Sequence, residues 1–148
     1  MKQFAFDTIA EIRRYGYVIG GFVDVTNELS DFENLNRASL AIDVFPIGED
    51  WLPISSDELL IGLARLIGYD SAYETLVVSE AVAKQFAKAF IDVFDKDARF
   101  YRSFENEYDA SGRFLRGYST PLTDATFSYA FACVDSVCAG MVVICDED

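Results

Sequence analysis

From Ala139 to Cys145 the chain is an unbroken apolar run, close to its last residue. The run is far shorter than the roughly 20 residues needed to cross a bilayer. It has the character of an interior strand. Just before it, Phe127, Tyr129, Phe131 and Cys133 recur at every second position, on one face of another strand. Asp135-Ser136 can turn the chain between the two. A C-terminal hairpin is therefore expected, and with it a sheet.

The remaining chain carries helix and strand signals in mixed order. Asp7 or Thr8 can cap a first helix, with Glu11 as capping-box partner of Thr8. Ile9, Ile12 and Tyr15 share a face, and Gly16 offers a left-handed stop. Tyr17 to Val25 alternates as a strand, and Gly20-Gly21 marks a bulge or a close approach of another element. Thr26 to Asn36 is polar, with a short helical stretch around Phe32 and Leu35. Leu40 to Phe45 is expected as a second strand, ended by Pro46 and Gly48 and able to pair antiparallel with the first.

Ser55 and Glu58 form a capping box ahead of a stripe of Leu59, Leu60, Leu63, Leu66 and Ile67, closed by Gly68. Ser79 caps a further helix running to about Phe94, with Val82, Phe86, Phe90, Val93 and Phe94 on one face. Glu80 with Lys84 and Lys88 with Asp92 are i,i+4 pairs on its exposed side. Asp95 to Tyr118 reads as strand, loop, strand, turning at Asp109-Ala110-Ser111-Gly112. No repeat, low-complexity segment or linker interrupts the chain, so residues 1–148 are expected to form a single α+β domain. Its sheet should be mostly antiparallel, with helices packed on one face.

Charge limits what such a domain can bind. The formal net charge is −13, and there is no histidine. Lys and Arg stop at Arg116, after which come Asp124, Asp135, Asp146, Glu147 and Asp148. A second stretch, Ala38 to Ala64, holds Asp43, Glu49, Asp50, Asp57 and Glu58 and again no basic residue. Such a surface repels nucleic acid and anionic membrane and attracts a basic partner. The hydrophobic content of 51% keeps the chain in the folded class despite its charge. The N-terminus lacks the pattern of a signal peptide, so a cytoplasmic protein is expected.

No motif specifies a reaction. Without histidine a Ser-His-Asp triad is impossible, and the chain loses the commonest metal ligand. Gly20-Gly21 lacks the remainder of any phosphate-binding loop, and no Ca²⁺-loop pattern is present. Cys133, Cys138 and Cys145 offer three thiolates where structural zinc usually takes four N/S ligands. They read as reduced, partly buried thiols behaving as small hydrophobes; a Cys133/Cys138 redox pair is the alternative. Neither metal nor cofactor is expected. Trp51, Tyr118 and Phe127 lie in the two acidic stretches, and aromatic anchors among charges suit a protein interface. Asp43, Glu49, Asp50, Trp51, Asp57, Tyr118 and Asp124 are therefore the candidate partner-binding residues.

The run Pro121-Leu122-Thr123-Asp124-Ala125-Thr126-Phe127, then strand, turn, apolar strand and Asp146-Glu147-Asp148, resembles the end of small bacterial immunity proteins of polymorphic toxin systems. Contact-dependent growth inhibition immunity proteins are the group it looks like. The resemblance covers the C-terminal part together with overall size and acidity. It implies a non-enzymatic inhibitor that binds a cognate toxin C-terminal domain, often a basic nuclease, and blocks its active site or substrate path. It carries over no catalytic residues. On this reading Gly140 to Cys145 and the acidic end bear the fold. Two other readings stand beside it: an acidic mimic of nucleic acid that inhibits a defence nuclease, and a small enzyme or ligand-binding α+β domain with carboxylates converging in an apolar pocket. An exposed sheet edge would allow a homodimer.

Overall fold

The computed structural model describes residues 3–108, 110–111 and 114–147. Its elements, in order, are α1 (Phe6–Arg13), β1 (Tyr17–Asp24), α2 (Asp31–Ala41), β2 (Leu52–Ile54), α3 (Ser56–Gly68), α4 (Glu80–Asp92), β3 (Arg99–Arg102), β4 (Phe104–Tyr108), β5 (Phe114–Ser119), β6 (Phe127–Val134) and β7 (Cys138–Asp146). Five strands form one antiparallel sheet in the order β1-β7-β6-β3-β2, and β4 pairs with β5 in a separate ribbon. The chain is an α+β domain with a mostly antiparallel sheet, as expected.

The apolar run is interior for a physical reason. β7 pairs with β6 from Phe127↔Asp146 to Val134↔Ala139, and on its other side with β1 from Tyr17↔Cys145 to Asp24↔Cys138. Every residue of β7 is buried. Strand geometry sends successive side chains to opposite faces. Cys138, Val142 and Ile144 enter one core with Leu59, Leu63, Ile67, Ala87 and Phe90. Ala139, Met141, Val143 and Cys145 enter a second core with Leu35, Ala38, Trp51 and Leu122. From Cys138 to Cys145 the strand lines two cores and carries no charged residue, so its sequence does not alternate. The expectation of helices on one face holds for α1, α3 and α4; α2 packs on the other face, against β7, β1 and β6.

Several local expectations need correction. Leu40–Phe45 is not a strand. Ser30 caps α2 through a reciprocal capping box with Glu33, and the helix runs on to Ala41, with Leu35 and Ala38 buried. Asp43 then turns the chain in the left-handed region, at φ 61°. The upstream cap nucleates the helix, and the short alternating run is absorbed into its end. The partner of β1 is consequently β7. β2 was not anticipated; it is a three-residue edge strand centred on Pro53, where a missing N–H is tolerated. The Asp95–Tyr118 segment holds three strands rather than two; Asp109 and Gly112 of its expected turn lie outside the described residues. α1 begins after Ala5 without a side-chain cap and ends at Arg14, at φ 61°. Gly16 is also left-handed, at φ 59°, and a Cβ there would overlap the carbonyl oxygen of Cys145. The caps of α3 at Ser55 and α4 at Ser79 are as expected.

Two acids assigned to the charged tail are buried instead. Asp146 holds Arg13 in a two-pronged ion pair, with Nη1 and Nη2 donating at 2.9 and 3.0 Å. Arg13 donates its remaining N–H groups to the carbonyls of Ile67, Tyr15 and Tyr69 at 3.0, 3.1 and 2.9 Å. All five guanidinium donors are thereby used. Asp135 accepts from the backbone N–H of Val137, Cys138 and Asp95 at 2.8, 2.7 and 2.9 Å. It locks the β6–β7 turn to the chain following α4. The three cysteines are buried and form no disulfide, and burial pushes the Cys133 and Cys145 thiols up.

The start of α2 is tied to the sheet by a smaller network. The Asp31 carboxylate accepts from Arg99 Nε and Nη2 at 2.7 and 2.8 Å, and from the Tyr101 hydroxyl at 2.5 Å. The Arg99 hydrogen bonds hold Asp31 below its usual value. Burial, reinforced by Asp31, pushes the Tyr101 phenol up to about 12. The unfolded chain therefore loses this proton near pH 10 and the folded one near pH 12. Stability is expected to fall across that window as pH rises. Denaturation of Tyr101→Phe between pH 9 and 12 should show a shallower decline than the parent; parallel curves would remove Tyr101 from the alkaline transition.

Candidate functional site

The structure gathers most of the candidate partner-binding residues on two adjacent loops beside α2. Phe45 N–H donates to the Leu122 carbonyl at 2.8 Å, and Thr120 Oγ1 donates to Asp50 at 3.2 Å. These bonds bring the loop of Asp43, Glu49 and Asp50 against the loop that carries Asp124. All four carboxylates belong to exposed residues. The two loops come from the stretches without Lys or Arg, so no cation of their own neutralises them.

Tyr118 on β5 is 61% exposed and donates its hydroxyl to Glu105 at 3.2 Å. That hydrogen bond raises the phenol above its ordinary value. The Thr120 N–H on Ser103 at 3.0 Å ties the β4–β5 ribbon to the same end of the sheet. The ribbon adds a further exposed carboxylate, Glu105, beside the loops, though this one is shared with Arg102 at 3.8 Å.

Two candidates fall elsewhere. Trp51 is 1% exposed and is a large core residue beneath these loops, so it holds them in place and cannot touch a partner. Its hydrophobic area outweighs its position in an acidic stretch. Asp57 is exposed in the first turn of α3, in the opposite helical layer, where it faces that helix's positive N-terminal end.

Sequence reasoning missed Leu40 and Phe45, which are 67% and 50% exposed and flank Asp43. Reading Leu40–Phe45 as a strand concealed them. Leu40 lies outside the buried α2 positions Leu35, Ala38 and Ser39, a signal available once Ser30 and Glu33 are taken as the helix start. The surface thus combines Asp43, Glu49, Asp50, Asp124 and Glu105 with Leu40, Phe45 and Tyr118. It offers carboxylates to bind cations and apolar groups to exclude water.

The opposite face carries a concavity of a different kind. α3 and the loop following it enclose a cleft of about 240 Å³ with Phe104 and β6. Its aromatic lining is Tyr69, Phe104, Phe127 and Tyr129; its charged lining is Arg65, Asp70 and Glu74. Phe127, expected among the interface aromatics, belongs here. The loop is held firmly: Asp70 N–H donates to the Thr75 carbonyl at 2.9 Å, Glu74 N–H to the Asp70 carbonyl at 2.7 Å, and Ser71 N–H to Asp146 at 2.9 Å. Asp70 also accepts from Ala72 N–H at 3.0 Å.

Among the described residues no group of three or more Cys, Asp or Glu side chains is arranged to hold a metal ion, and no helix is long and apolar enough to cross a membrane. No protein-family model, no curated protein and no solved structure matches this chain.

Proposed function

We propose that this chain is a binding protein of the immunity type, a cytoplasmic inhibitor that covers a basic toxin domain with its acidic loop face. One observation carries the reading: Asp43, Glu49, Asp50 and Asp124 stand exposed on two hydrogen-bonded loops without a cation, beside the uncovered Phe45. Carboxylates attract and orient a basic partner, and the apolar groups slow its release. A toxin that acts on nucleic acid carries a positive substrate path, the surface such a face complements. The C-terminal sequence resemblance agrees. The nucleic-acid mimic is less favoured, because its carboxylates should follow a long regular row, whereas these cluster at one end of the sheet.

The test is capture from lysate by the tagged chain at low and moderately high salt, with neighbouring reading frames co-expressed. A single stoichiometric basic partner that is toxic alone and harmless with this chain supports the proposal. Many basic proteins that all leave with salt would overturn it. Against such a partner, the combined variant Asp43→Lys, Glu49→Lys, Asp50→Lys is expected to slow association by about ten-fold or more at low salt, measured by stopped flow, with a smaller change in dissociation. An unchanged rate removes this loop from the interface.

A further inference from the structure

We infer that the cleft between α3 and β6 binds a small organic cation, a flat amidinium or guanidinium group attached to an apolar body. The site is distinct from the acidic loops: its lining belongs to the core on the α3 side of the sheet, and theirs to the α2 side. The two proposals stand or fall separately.

Aromatic rings supply the first argument. Tyr69, Phe104, Phe127 and Tyr129 line the cleft, with Phe104 and Tyr129 ring centres 4.8 Å apart and Phe127 and Tyr129 6.3 Å apart. A ring face carries negative charge density and attracts a desolvated cation more strongly than a neutral group. Arg65 already shows this, its guanidinium carbon lying 5.0 Å from the Tyr69 ring centre.

The balance of charge gives the second. Asp70 and Glu74 outnumber Arg65, the cleft's one cation among the lining residues, and Arg65 is within 3.8 Å of Glu74. An entering anion would meet two carboxylates and the field of a chain of net charge −13. An entering cation meets Glu74, whose half-exposed side chain is held by Arg65 only at 3.8 Å. Arg65 opposes such a cation, but its side chain is also well exposed and so screened by water.

Rigidity and size give the third. The loop that carries Asp70 and Glu74 is fastened to the buried Arg13–Asp146 pair through Ser71, so the wall is formed before a ligand arrives. At about 240 Å³ the cleft is below the usual range for drug-sized ligands, and it fits a single ring with its charged substituent. Glu74 itself sits at φ 54°, a left-handed backbone state that disfavours any residue except glycine or asparagine. A long charged side chain held there at a cost to the fold suits a residue kept for its carboxylate.

Three isosteric probes test this on the full chain: benzamidinium, benzamide and benzoate, titrated while amide resonances are followed by NMR. Benzamidinium is expected to bind at least three-fold more tightly than benzamide and ten-fold more tightly than benzoate, with shifts centred on Tyr69, Ser71, Phe127 and Tyr129. Glu74→Gly should weaken benzamidinium at least three-fold and leave benzamide unchanged. The same variant should raise the urea midpoint, because glycine relieves the left-handed strain. Equal binding of the cation and the neutral amide, tighter binding of benzoate, absence of binding, or shifts confined to the acidic loops would each overturn the inference.

Discussion

Arg13→Ala is expected to destabilise the fold by about 3–5 kcal/mol, the cost of leaving one partner of a buried ion pair alone. Total stability for a domain is typically about 5–15 kcal/mol, so this loss is large. The pair joins α1 to the last residue of β7, and its further hydrogen bonds reach Tyr15, Ile67, Tyr69 and Ser71. With Arg13 removed, the Asp146 carboxylate remains in the core with one N–H, from Ser71, and three carbonyls lose their donor. Asp146→Asn should cost a similar amount, because it leaves the buried guanidinium without its counter-charge and sets an amide NH2 against its donors. Arg13→Met with Asp146→Leu should recover part of the loss by removing both charges together, though the orphaned backbone groups prevent full recovery. Urea denaturation of the three variants decides it. A change below about 1 kcal/mol for Arg13→Ala would mean that water replaces the guanidinium and that the pair contributes little.

Asp135→Ala is expected to cost about 2–4 kcal/mol, because it strips the acceptor from three backbone N–H groups around the β6–β7 turn. The turn joins β6 to β7, two interior strands of the five-stranded sheet, so its loosening frays the centre of the core. Asp135→Asn keeps one acceptor oxygen and should cost roughly half as much. Hydrogen exchange separates this loss from a general one: Val137 and Cys138 amides should lose protection first. Uniform loss of protection across β6 and β7 would show that Asp135 does not act locally.

The parts of the fold legible in the sequence are those whose signals are local. Ser55 with Glu58 and Ser79 each satisfy helix N–H groups within three residues, so α3 and α4 begin where their caps stand. β6 and β7 are close in sequence and joined by a short turn, so their pairing needed no distant information. α2 was half legible. Its capping box at Ser30 and Glu33 is as regular as that of α3, but a short alternating run at its end imitates a strand. Trp51 shows the limit for the site. Its neighbours in sequence are acidic and exposed, and only packing against Leu35 and Leu122 reveals that it is core.

Local signals suffice for the α+β class, the C-terminal hairpin, two helix starts and the segregation of acid from base. Each depends on composition or on residues a few positions apart. Tertiary structure alone decided that β1 pairs with β7, that α2 covers the second face, and that the 42–51 and 119–126 loops meet. It also divided the acids of the tail into two kinds, Asp135 and Asp146 holding the core and Asp124 and Glu147 facing water. The reason is that a carboxylate's role depends on the donors around it. Those around Asp146 come from Arg13 and Ser71, residues that no local pattern connects to the end of the chain.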